Sequence, residues 1–234
     1  MIRHDCRRLA EFRRPDLEHD AVVAGRHGRE RGIARTRCGK HDPADIAGAG
    51  TFDGAELDVL LYEFKDGLNA YLASLGASAP VKTLAELIAW NEKETAREMP
   101  WFRQEMFERA QKKGPLTDAA YRTARATCVR KSRAEGIDAT LAKHRLDAIV
   151  FPSNQPAWLT DHLNGDHFTG GNTTFAAVAG YPSVTLPMGF VHSLPVGMSF
   201  VGAAWTDWQL LKYAFAFEQH TKRRQPPRYM VTLE

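Results

Sequence analysis

The stretch TGGNTTFAAVAGYPSVTLPMGF, residues 169–190, changes character twice along its length. It begins with two glycines and small polar residues. It then passes through an alanine-rich apolar piece, TTFAAVAG, which predicts one short helix. It ends in SVTLPMG (183–189), where the alternation predicts a half-buried strand with Val184, Leu186 and Met188 on one face and Ser183, Thr185 and Pro187 on the other. Pro187 cannot donate to a ladder, so an irregular or edge position is expected for that strand. Gly-rich loops with hydroxyl residues hold oxyanions or nucleophiles in many enzymes. The question is whether residues 169–174 carry chemistry or support it.

The flanking sequence extends the pattern. DAIVFP (147–152) is a short apolar run ending in proline, the signature of a buried strand. VGMSFVG (196–202) alternates with Val196, Met198 and Phe200 on one face and Gly197, Ser199 and Val201 on the other, and VHSLP between the last two strands reads as a turn. TDWQLLKYAFAFEQHTK closes the chain as a helix whose apolar face is assigned to Trp208, Leu211, Ala214 and Phe215, flanked by Leu210 and Phe217. Upstream the period is helical. Leu57, Leu60, Leu61, Phe64, Leu68 and Leu72 are helically spaced before Gly76. Thr83 and Glu86 form a capping box, and Pro100 interrupts the helix that follows. WFRQEMFERAQKKG reads as helix up to Gly114, and a last helix from cap Thr117 is expected to break at Gly136. Helices first, then strand, loop, helix, strand, turn, strand and helix make an α/β pattern with few strands for its helices.

At 234 residues, 44% apolar and 25% charged, the composition is that of a globular domain. A formal charge of +3 demands neither nucleic acid nor an anionic membrane as partner. No apolar run reaches the roughly 20 residues of a membrane span. Cys6, Cys38 and Cys128 are too widely spaced for a disulfide framework, so a reducing cytoplasm is expected. The charge is uneven: residues 1–40 hold ten Arg, one Lys and six acids, whereas the remainder holds twenty cations against 22 acids. Residues 1–41 offer one short apolar run, AVVAG, and cannot offset their ordering entropy. They are expected to be a disordered basic arm, or non-native sequence with the Arg, Gly and Ala bias of out-of-frame GC-rich DNA. A nucleic-acid tail is disfavoured by the single aromatic, Phe12, and by the acids. The folded domain is expected over residues 42–234.

Motifs that carry chemistry are scarce in this sequence. Ser199 in GMSFV lacks the second glycine of a nucleophile elbow and reads as the small face of a strand. No Ser-x-x-Lys, adjacent serine pair or P-loop is present, and GAGTFDG (48–54) misses the dinucleotide spacing, so no cofactor is expected. Asp161, His162, Asp166 and His167 are ligand types, but on a helix the two histidines would point about 140° apart. They are read as polar loop residues, with no metal. Cys128 reads as a packed thiol.

Together, EFKDGLNAYLASLG, VKTLAELIAWN, DAIVFPSNQPAW, GGNTTFAAVAGYPSVTLPMGF and LPVGMSFVGAAWTDWQLLKYAFAFEQHTKRRQPP resemble the C-terminal half of amidase signature enzymes. The resemblance implies an α/β/α core with a mixed sheet, here incomplete, and hydrolysis of carbon–nitrogen bonds in linear amides. It also implies a Ser–Ser–Lys triad and a Gly-rich oxyanion loop, both in the family's N-terminal half. No position of this sequence matches any of those triad residues, so a truncated chain inactive alone is expected. Gly171, Asn172 and Thr173 then become candidates for lining the substrate pocket, with Trp158 and Phe168 as an apolar wall. Asn172 or Thr173 also reads as a helix cap. Two other readings stand beside this one. One is a hydrolase with a substitute nucleophile, Thr173 or Ser153. The other is a non-catalytic module pairing through an exposed sheet edge, for which an uncovered half core predicts self-association.

Overall fold

The structure, a computed structural model, describes residues 22–25, 40–41 and 45–229. These divide into two compact units, Gly48–Lys131 and the remainder of the chain. The compositional boundary at residues 41 and 42 is a different division from this one.

The Gly48–Lys131 unit is helical. Helix α1 (Asp53–Ser74) ends just before Gly76, whose φ of 75° turns the chain out of the helix. Helix α2 (Leu84–Lys93) has the expected cap: Thr83 Oγ1 accepts from Glu86 N at 3.2 Å, and the Glu86 carboxylate takes Lys82 N at 2.6 Å. Asn69 Oδ1 takes Leu84 N at 2.8 Å, tying α1 to the start of α2. A short α3 (Thr95–Glu98) precedes Pro100, and α4 spans only Glu105–Gln111. The helix expected from Trp101 therefore begins four residues later. Buried Gln104 explains the delay: its side chain donates to Ile88 O at 3.2 Å and accepts from Asn91 Nδ2 at 3.1 Å, so tertiary bonds set the turn before α4. Leu61, Leu84 and Ala110 form the buried centre, with Leu57, Leu68, Ile88 and Phe107 packed around it.

Helix α5 (Ala119–Ser132) passes through a π-helical turn, Arg133–Ile137, into α6 (Asp138–His144). The break expected at Gly136 is thus a widened turn, not an end. Gly136 is buried, and its carbonyl accepts from Thr140 Oγ1 at 3.0 Å.

The rest of the chain builds a five-stranded sheet in the order β2-β1-β3-β5-β4. Its strands are β1 (Val22–Gly25), β2 (Lys40–His41), β3 (Leu146–Pro152), β4 (Ser183–Val191) and β5 (Leu194–Val201). Every pairing among the described residues is antiparallel. Two pieces of the Arg-rich segment expected to be unstructured are thus strands, and β1 holds most of its apolar run AVVAG; the remainder of that expectation lies outside the described residues. A two-residue turn joins β4 to β5, with His192 at a φ of 52° supplying the left-handed step such hairpins need. The ladder shifts register between Pro187 and Gly189, and β4 is the last strand in the order, so the proline sits at an edge and a bulge as expected.

Helices cover both faces. On one side Ile137, Leu141, Ala176 and Ala179 pack on Ile149, Phe151 and Val201. The alanines belong to α7 (Thr174–Ala179), which ends in a Schellman-type turn: Gly180 has a φ of 63°, and Tyr181 N donates to Ala176 O at 3.1 Å. On the other side Leu210, Ala214 and Phe217 of α8 (Asp207–Thr221) pack on Ala148, Val150, Leu186 and Phe200. The layers are therefore α/β/α, and the strand faces follow the predicted alternation. The face of α8 does not. Trp208, Leu211 and Phe215, expected inward, are 70%, 50% and 64% exposed, while Leu210 is completely buried. Apolar residues nearly surround this helix, so spacing alone cannot select the inward side.

Candidate functional site

The Gly-rich loop is held against the end of β3. After Pro152 the chain leaves the sheet and returns at Gly171, which forms an antiparallel bridge with Asn154. A Cβ on Gly171 would stand 3.0 Å from Asn154 Oδ1, so glycine permits this approach. Asn172 Nδ2 donates to Pro152 O at 3.2 Å, and Asn172 N reaches Ser153 O at 3.5 Å. Gln155 binds the loop's far end, donating to His167 O and accepting from the backbone and hydroxyl of Thr169. Between these anchors Trp158 and Phe168 meet edge-on, with centroids 6.1 Å apart.

The structure thus brings Gly171, Asn172, Trp158 and Phe168 into one anchored loop. Thr173 lies at the start of α7, exposed. Neither it nor Asn172 acts as the expected side-chain cap: Thr173 occupies the cap position without a side-chain bond to the helix. Asn172 is committed to Pro152 O, because its amide closes the loop onto the strand.

Of the loop's acidic residues, Asp161 is arranged for turn formation. Asp161 accepts from Leu163 N, Asn164 N and Asn164 Nδ2, each at 2.9 Å. These bonds, first those from the Asn164 backbone and side chain, hold its carboxyl below its ordinary range. No group of three metal-ligand side chains forms among the described residues.

A second polar feature escaped the sequence reading. Ser199 is buried at 2% exposure beneath the loop anchor. Its Oγ donates to Ser153 Oγ at 2.7 Å and lies 2.8 Å from Thr185 Oγ1. Ser153 and Thr185 hydroxyls are 3.5 Å apart. Gly197 leaves the room, since a Cβ there would stand 2.9 Å from Ser153 Oγ and 3.0 Å from Thr185 Cγ2. The alternation already placed Thr185, Gly197 and Ser199 on one side of the hairpin. What it lacked was the pairing of β3 with β5, which brings Ser153 to Gly197 through Ser153 N to Gly197 O at 2.8 Å.

A family model described as Amidase matches residues 54–211, well over half of the sequence. The chain belongs to the amidase family. A probable amidase of Arabidopsis thaliana is 34% identical over 189 residues, covering 80% of this chain and 33% of that protein. A glutamyl-tRNA(Gln) amidotransferase subunit of Symbiobacterium thermophilum is 36% identical over 89 residues, which is 36% of this amidase-family chain and 18% of that protein. The crystal structure of peptide amidase from Stenotrophomonas maltophilia superposes with a TM-score of 0.72 at 42% identity, covering 79% of this chain and 37% of that one. This chain therefore spans about a third of the length of the plant relative and of the peptide amidase. The resemblance read from the sequence motifs and the α/β/α layering of the structure agree on the family.

Proposed function

We propose that this chain forms the substrate-facing wall of an amidase that hydrolyses carbon–nitrogen bonds of linear amides. Residues 42–234 are its working part. The single observation that carries the reading is the loop 169–173 fixed onto the end of β3 by Asn172 and the Asn154–Gly171 bridge. Such anchoring presents the Gly171 backbone, Thr173 and the Trp158–Phe168 pair as a fixed surface, which lowers the ordering cost of binding. An amide would lay its apolar part on the two aromatic rings and its polar end on the glycine backbone.

In this reading the chain does not cleave the amide by itself. It has no adjacent serines and no Ser-x-x-Lys, and the nucleophile, relay serine and basic lysine belong to a segment of the amidase fold other than this one. Thr173 and Ser153 as substitute nucleophiles lack support: among the described residues, the hydrogen bonds of Ser153 Oγ are to the hydroxyls of Ser199 and Thr185, neither of them a base. A reducing, cytoplasmic setting belongs to the same proposal and suits Cys128, a buried free thiol.

The test is a nuclear magnetic resonance titration of the full chain with 3-phenylpropionamide, a neutral amide with one aromatic ring. Signals of Gly171, Thr173, Trp158 and Phe168 should move together in a saturable way. Saturable shifts confined to other residues, or no shifts, would refute the assignment of this wall.

A further inference from the structure

The hydroxyls of Ser153, Thr185 and Ser199 form a closed triangle with an unequal third side. Each hydroxyl has one proton and two lone pairs. Ser199 uses its proton on Ser153 at 2.7 Å, so the 2.8 Å bond with Thr185 must take its proton from Thr185. That leaves the proton of Ser153, for which the sole acceptor in the triangle is Thr185 Oγ1 at 3.5 Å. Good O–H···O bonds are about 2.7–2.8 Å, so this side is barely a bond. The under-used proton belongs to a half-buried residue, whereas its supporter Ser199 is sealed inside. Hydrogen bonds in series polarise one another. The sequence Thr185 to Ser199 to Ser153 therefore makes the Ser153 hydroxyl a better donor than a lone surface serine.

The surroundings state what it donates to. Among the described residues, the triangle's side-chain partners are hydroxyls alone, with no cation to balance an anion, which favours an uncharged acceptor. Ser153 is also the residue whose carbonyl lies 3.5 Å from Asn172 N, so its hydroxyl stands at the root of the Gly-rich loop. We infer that Ser153 Oγ–H donates a hydrogen bond to the carbonyl oxygen of a neutral amide ligand, with Thr185 and Ser199 as positioning residues that polarise and aim it. Gly197 keeps the space for this arrangement. The inference rests on the amide-binding reading of the loop, and adds to it the atom that recognises the carbonyl.

The probes are 3-phenylpropionamide and its thioamide counterpart, which have one carbonyl or thiocarbonyl each and the same charge. Sulfur is the weaker acceptor, so the full chain should bind the amide about 3- to 10-fold more tightly, the range of one net hydrogen bond. Ser153→Ala should abolish that preference, and Ser153→Thr should retain it. Ser199→Ala and Thr185→Val should reduce the preference, weakening amide binding more than thioamide binding, whereas general loosening of the fold would weaken both alike. Amide preference persisting in Ser153→Ala would overturn the inference. So would a wild-type chain that binds both probes equally, which needs no variant and leaves the loop reading standing. If the wild type binds neither probe, the inference and the loop reading fall together.

Discussion

Ser199 Oγ, buried in β5, lies 2.7 Å from Ser153 Oγ, the first side chain beyond the end of β3. This bond crosses between paired strands and fixes the residue from which the Gly-rich loop departs. The position of the loop is therefore set by the sheet beneath it.

Gly197 makes that contact available. In Gly197→Ala the new methyl would meet Ser153 Oγ at 2.9 Å and Thr185 Cγ2 at 3.0 Å. Relief requires Ser153 or the strand to move, at about 1–3 kcal/mol. The expected outcome in urea unfolding is a lower midpoint with an unchanged slope. A midpoint equal to wild type would mean the triangle is looser than described.

Asn172 is expected to hold the loop more than to cap α7. Asn172→Ala removes the 3.2 Å bond to Pro152 O and should cost about 1 kcal/mol. Hydrogen exchange should quicken in residues 169–173 before it does in β3. Uniform quickening across the sheet would place the role of Asn172 elsewhere.

Helix α8 offers an internal comparison. Leu210 is fully buried and Leu211 half-exposed. Leu210→Ala should cost about 2–5 kcal/mol through its cavity, and Leu211→Ala should stay within about 0.5 kcal/mol. Equal effects by chemical denaturation would contradict the assigned face.

Alkaline pH should destabilise the fold. Burial pushes the Cys128 thiol up from its ordinary 9.0, with Glu56 adding to it. Burial and then the hydrogen bond to Asp138 push the Tyr181 phenol up from 10.0. A raised folded-state value contributes stability that is complete below the unfolded value and lost as pH rises through the folded one. The loss should start above about 9 for the thiol and above about 10 for the phenol. Stability measured against pH should fall less steeply there in Cys128→Ala and Tyr181→Phe.

These residues also show what could be read without coordinates. The alternation in 183–189 and 196–202 placed Val184, Leu186, Met198 and Phe200 on one sheet face, where they pack under α8. That worked because period 2 leaves two choices and polar residues marked the other. The α8 face failed because Trp208, Leu210, Leu211, Phe215 and Phe217 leave hardly any polar side to reason from. The start of α4 failed because Gln104 is held by Ile88 and Asn91, partners well upstream in sequence. In the loop, the glycines and small polar residues mark an irregular segment, but the anchoring of Asn172 to Pro152 is a contact across twenty residues. The Ser153–Ser199 bond depends on β3 pairing with β5 rather than β4, and no local pattern encodes strand order.

The central claim is that this chain binds an amide and supplies none of the groups that cleave it. The direct measurement is ammonia released from 3-phenylpropionamide by the purified full chain, followed over many hours at saturating amide. The account predicts release no faster than the protein-free control. Release above that control, abolished by Ser153→Ala or by Thr173→Ala, would contradict it and make that residue the nucleophile.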